Sequence, residues 1–115
     1  MNNAIRVTYL RDEVQRPIGC VVIQLHRAKG LIDYQYTVQN PRDDFNRKIG
    51  RQLAIGRLVE DPISIIINKD ADMHDISHAV MSDLLLAKDT PTRAFKAAKS
   101  WLNGYGKVSL KVVKS

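Results

Sequence analysis

Residues 18–25 constrain the fold more than any other stretch. Their centre, Gly19-Cys20-Val21-Val22-Ile23, is apolar at every position rather than at every second one. A strand sends successive side chains to opposite faces, so a strand that is apolar throughout has to be covered on both. The chain must supply a layer on each side of it, or a partner chain must supply one. The flanking segments read differently. Residues 4–10 alternate, with Ile5, Val7 and Tyr9 on one side and Arg6 and Thr8 on the other. Residues 31–38 alternate as well: Ile32, Tyr34, Tyr36 and Val38 point one way, while Asp33, Gln35 and Thr37 point the other. The connections are short, a polar stretch at 11–17 and a turn ending in Gly30. Three such strands form an antiparallel meander.

Helical spacing takes over at residues 40–58. Asn40 or Asp43 can cap this helix, Pro41 suits its first turn, and Asp43 and Asp44 favour the positive end of its dipole. At 100° per residue, Phe45, Ile49, Leu53, Gly56 and Val59 share a face. That face is expected to be the core side, laid against Ile32, Tyr34, Tyr36 and Val38. Arg47, Gly50, Ala54 and Arg57 fall on the opposite side, with Arg51 at its edge. A β-branched run after Pro62 predicts a fourth strand over 63–68. A second helix is expected from Asp72 or His74 to Leu86, buried through Ile76, Ala79, Val80, Leu84 and Ala87. Thr90-Pro91 opens a third, with Phe95, Ala98, Trp101 and Leu102 inward and a stop at Asn103-Gly104. Residues 107–113 alternate and predict a fifth strand. The reading is one α+β domain over 1–115, with an antiparallel sheet packed against helices in the order βββαβααβ.

Several function classes find no support in the residues. No apolar run reaches the ~20 positions that span a bilayer, and the first residues lack the basic start and apolar core of a signal peptide, so a cytoplasmic protein without membrane contact is expected. Cys20 is the sole cysteine and sits in apolar company, which predicts a buried, inert thiol. Neither a phosphate-cradling glycine loop nor a nucleophile elbow is present. His74 and His78 stand four apart on a predicted helix, a zinc-like spacing, but an aspartate follows the first histidine and no third ligand stands at a known distance. Asp70-x-Asp72 opens like a calcium loop, yet Asp75 and Met81 occupy the glycine and glutamate positions that such a loop requires. The carboxylate pairs Asp12-Glu13, Asp43-Asp44 and Glu60-Asp61 lie at element ends, where caps explain them. No catalytic residue, metal or cofactor is assigned. Tyr34, Tyr36, Phe95 and Trp101 read as core aromatics, and Tyr105 between two glycines as a more exposed one.

The net charge of +6 favours an anionic partner. The arginine stripe supplies a place for it. Glycines such as Gly50 and Gly56 weaken a helix by about 1 kcal/mol each relative to alanine, and a purely solvated face does not require them. A patch of Gly50 and Ala54 permits close approach by a ligand or another helix. Arg47, Arg51 and Arg57 around it offer planar forks for phosphate or carboxylate. The candidate ligand-binding set is therefore Arg47, Gly50, Arg51, Ala54 and Arg57, against the plainer alternative of a charged outer face.

The run Asn40-Pro41-x-Asp43-x-Phe45-x-Arg47-Lys48-x-Gly50-Arg51-x-x-Ala54-x-Gly56-Arg57-Leu58 resembles a signature of small bacteriophage proteins. Through it the chain resembles the Thoeris anti-defence sponge proteins of the first kind. The resemblance covers 19 of 115 residues. It implies a homo-oligomeric protein in the host cytoplasm that sequesters a cyclic nucleotide immune signal, a cyclic ADP-ribose isomer or cyclic dinucleotide, without degrading it. It also implies phosphate-facing roles for Arg47, Arg51 and Arg57. Two other expectations stand beside it: a basic protein that binds nucleic acid, and a phage inhibitor of a host protein with the helix as its contact.

Overall fold

The computed structural model describes residues 5–39, 46–87 and 89–114, with side chains as far as Gly104. The three N-terminal strands are β1 (Ile5–Arg11), β2 (Pro17–His26) and β3 (Leu31–Val38). Helix α1 (Arg47–Glu60) precedes β4 (Ile63–Ile66), and α2 (Met73–Leu86) and α3 (Thr92–Lys114) follow. The sheet is antiparallel throughout, in the order β1-β2-β3-β4. The protein is α+β, with a short 3-10 turn at Arg27–Lys29 between β2 and β3. That turn closes on Gly30 at φ 65°, the left-handed region that glycine enters without penalty.

β2 is interior and covered on both faces, as its composition requires. One face carries Val21 and Ile23 beside Leu10, Ile32 and Tyr34. It packs on Ile76, Val80, Met81 and Leu84 of α2 and on Ala94, Ala97 and Ala98 of α3. The alanines let α3 lie close. The other face carries Cys20 and Val22 with Val7 and Tyr9, and receives α1.

Three expectations are corrected here. First, α1 packs on the sheet face that carries Thr37, opposite to the one that carries Tyr34. Second, α1 is turned over. Gly50, Ala54 and Leu58 are buried, while Ile49, Leu53 and Val59 are 53%, 58% and 77% exposed. The bulky residues do not define the inner face because the helix axis lies too near the sheet for them. Thr37 Oγ1 donates to the carbonyl of Gly50 at 3.1 Å, a distance that only a small-residue face permits. Third, the fifth strand is absent. α3 runs on through Gly104 to Lys114. Val108 and Val112 alternate as in a strand, but they also stand seven and eleven places beyond Trp101, so the same residues satisfy a helical period. On α3 Phe95 is partly exposed, with the alanines inward instead.

Local signals explain the helix starts. Asn46 caps α1, its side chain accepting from the amide of Ile49 at 3.1 Å. The proposed caps Asn40 and Asp43, together with Phe45, lie outside the described residues. Asp72 and Asp75 form a reciprocal capping box at the start of α2. Thr90 does not cap α3; its hydroxyl donates to the Leu84 carbonyl at 2.8 Å. Among the described residues, no helix is long and apolar enough to cross a membrane.

Candidate functional site

The stripe residues separate into a filled contact and its rim. Gly50 and Ala54 are buried against Cys20, Val22 and Thr37, so the close approach they permit is made by the sheet. The arginines stay exposed around that contact. Arg47 places its guanidinium 5.1 Å from the centroid of the Tyr9 ring. Arg57 donates to the Tyr36 carbonyl at 3.0 Å, tying α1 to β3. Arg51 lies near enough to Cys20 for its charge to bear on the thiol. Burial nevertheless outweighs it and holds the thiol above its ordinary value, and the Thr37 hydroxyl offsets this only in part.

A different part of the molecule has the form of a ligand site. A cavity of about 440 Å³ lies where β1 meets α3, lined by Tyr9, Leu10, Arg11, Gln15, Ser100 and Trp101 among others. A second, of about 340 Å³, adjoins it and shares Arg11, Ala97 and Ser100. Its walls add Arg16, Arg93 and Lys96 to Arg11, four cations against the two carboxylates of Asp12 and Glu13. Together they make a groove of the size that holds small organic ligands.

The β1–β2 turn shapes one wall. Asp12 accepts from the amides of Val14 at 3.0 Å and Arg16 at 2.9 Å, and its Oδ2 lies 3.3 Å from the Arg16 guanidinium. The Arg16 amide is the main reason its carboxyl sits below the ordinary range, so it stays ionised and the turn keeps its form. Gln15 is held at φ 67°. Such a conformation is strained for a side chain with a Cβ. Arg11 fastens it by donating to the Gln15 carbonyl at 2.8 Å. On the α3 side Arg93 donates to the Gln39 carbonyl at 2.9 Å, which ties α3 to the end of β3. Trp101 is backed by two exposed histidines of α2. His74 stacks at 6.2 Å between ring centroids, and His78 meets it edge-on at 6.5 Å. The first cavity thus carries a braced indole, and the second, which shares Arg11 with it, carries the cluster of cations.

The metal readings gain little. Ligand atoms of Asp72, His74 and Asp75 gather within 4.8 Å of one another on the surface. Both carboxylates are engaged in the capping box, with Asp75 accepting from the Asp72 amide at 3.3 Å and Asp72 from the Asp75 amide at 2.8 Å.

Sequence reasoning missed the groove. Arg11 and Lys96 are far apart in the chain, and no local pattern links them. Trp101, read as a core residue, is partly exposed. The one usable signal was the cluster of Arg93, Lys96 and Ser100 at helical spacing ahead of that tryptophan. Comparison with known families, with curated proteins and with solved structures finds no match for this chain.

Proposed function

We propose that this protein binds an anionic nucleotide and withholds it rather than turning it over. The biological role is the one implied by the resemblance at residues 40–58: a phage anti-defence protein that sequesters a cyclic nucleotide immune signal. The observation that carries this reading is the pair of adjoining cavities between β1 and α3, one lined by Trp101 and Arg11 and the other by Arg11, Arg93 and Lys96. The indole receives the base and the cations receive the phosphates. Arg47 stacks over Tyr9, which lines the first cavity, but it stands on the opposite sheet face and lines neither cavity itself. Arg51 and Arg57 belong to α1, across the sheet from α3, and have no part in the groove.

Calorimetry and thermal shift against cyclic ADP-ribose isomers, cyclic dinucleotides and a linear nucleotide test the proposal. Removing one charged partner from a phosphate costs about 1.5–3 kcal/mol, so Lys96→Ala and Arg93→Ala should each weaken binding roughly ten- to hundred-fold. Trp101→Ala should weaken it comparably, while Arg51→Ala should leave it unchanged. The ligand should be released intact on denaturing the complex. A native-state ligand must raise the melting temperature, so no shift from any member at ligand above ~100 µM refutes the reading. Binding only to oligonucleotides, falling steeply with salt, would instead assign the groove to nucleic acid.

A further inference from the structure

Strand β4 ends the sheet, and among the described residues no other strand pairs with its outer edge. Its pairing with β3 fixes which main-chain groups face that edge. The Ile67 amide donates to the Gly30 carbonyl at 2.9 Å, and Ile65 and Ile63 stand opposite Ile32 and Tyr34. Bonded pairs of this kind alternate along an antiparallel ladder with residues whose amides and carbonyls turn away. Ser64 and Ile66 are those residues, so each presents an N–H and a C=O outward. Edge strands are commonly blunted by proline, charge or a bulge. The four residues of β4 include no proline and no charge, and they pair with β3 without a shift of register. At the other edge β1 has such a shift, between Leu10 and Arg11. Ile66 is 88% exposed beside these open groups.

A cavity of about 320 Å³ lies at the C-terminal end of β4, lined by Ile66, Ile67, Asn68, Asp70, Asp75 and Ala79 among others. Two carboxylates and no cation line it, in a protein of net charge +6. The neighbouring cations face the β2–β3 turn: the Lys69 methylenes lie against Gly30, and Arg27 donates to the Lys69 carbonyl at 2.8 Å. We propose that β4 receives an extended segment of a partner protein as a fifth strand, with a lysine or arginine of that segment in the cavity of Asp70 and Asp75. The segment runs antiparallel to β4 and bonds through Ser64 and Ile66. Its residue opposite Ile67 points to the sheet face that α2 covers, where the cavity lies, and is the basic one. Its residue opposite Ile66 points to the other face and is apolar. A second copy of this chain is the wrong occupant: two β4 strands paired about Ile65 would bring the Asp70 end of one to the Glu60 and Asp61 end of the other, and like charges opposite one another are unfavourable. The inference is independent of the nucleotide reading, because the groove lies at the β1 edge.

Amide hydrogen exchange of the full chain, read residue by residue by NMR, tests it. The probe is the peptide acetyl-Ala-Lys-Val-Thr-Val-Thr-amide at ~1 mM, since so small a contact is weak. In the free protein the amides of Ile63, Ile65 and Ile67 should exchange slowly and those of Ser64 and Ile66 fast. With peptide, Ser64 and Ile66 should slow about ten-fold, the factor expected for a dissociation constant near ~100 µM. N-methylation of either valine, opposite Ile66 or Ser64, should abolish the slowing, and N-methylation of the threonine between them should not. Replacing the peptide lysine by glutamate should weaken binding about ten-fold, and Asp70→Lys should remove that preference. Ile66→Pro, whose missing amide faces the edge, should abolish binding while the Ile67 amide stays protected. No slowing at Ser64 and Ile66 overturns the proposal. Slow exchange of both in the free protein, deepening with protein concentration, overturns it by giving the edge to a second copy. Equal binding of the lysine and glutamate peptides overturns the role of the cavity.

Discussion

The orientation of α1 makes opposite demands on two adjacent residues. Leu53 is 58% exposed and Ala54 fully buried. Complete burial of a leucine is worth about 1.5–3 kcal/mol. With roughly two fifths of Leu53 removed from water, Leu53→Ala should cost about 0.6–1.2 kcal/mol, offset by a few tenths from the better helix propensity of alanine. Ala54→Leu adds three carbons between the helix and Cys20 and Val22 of β2, where Ala54 is already fully buried. Overpacking of this kind costs about 1–3 kcal/mol. Leu58→Ala, at a position only 4% exposed, should lose about 2–5 kcal/mol and marks the buried limit. Urea denaturation followed by circular dichroism ranks all three. The ordering Leu58→Ala worst, Ala54→Leu next and Leu53→Ala nearly neutral is expected. If Leu53→Ala loses more than about 2 kcal/mol while Ala54→Leu is silent, α1 presents its other face to the sheet and the packing argument fails.

The Tyr34 hydroxyl is buried and donates to Asp83 Oδ2 at 2.5 Å, joining β3 to α2; Tyr34→Phe should lower stability by about 1.5–3 kcal/mol in the same urea assay, the range for a bond to a charged group. Burial first, and then Asp83, raise the hydroxyl well above its ordinary value of 10.0. Its contribution is therefore complete below pH 10.0 and declines as pH rises beyond it, so the alkaline loss of stability should be smaller in Tyr34→Phe than in the wild type. At the acid end the sign is reversed. The Asp75 amide is the main influence holding the Asp72 carboxyl below its ordinary 3.8, so the α2 cap weakens as pH falls past that value, and Asp72→Ala should flatten this part of the helical signal. Two glycines should respond in opposite directions to alanine, read by thermal melts. Gly19→Ala would put a Cβ 2.2 Å from the Thr37 carbonyl and force β2 and β3 apart, whereas Gly56→Ala meets nothing and should stabilise the protein by about 1 kcal/mol.

Period and polarity in the sequence were enough to place β1 to β4 and α2, because each signal is local. The apolar run at Cys20-Val21-Val22-Ile23 announces a strand covered twice, and the cap at Asp72 announces a helix wherever they fall in space. The small-residue stripe on α1 was equally legible, since Gly50 and Ala54 mark close approach by something. What approaches was decided only by tertiary packing. The sheet face at Cys20 and Thr37 leaves so little room that it takes the glycine and alanine, and the helix turns Ile49 and Leu53 outward against the usual preference. The end of α3 was ambiguous for a similar reason: Val108 and Val112 fit two periods, and the sequence holds no term that chooses between them. The groove was beyond local reading altogether. Arg11 and Lys96 come to line one cavity only when β1 and α3 meet, and proximity between distant residues is a property of the fold.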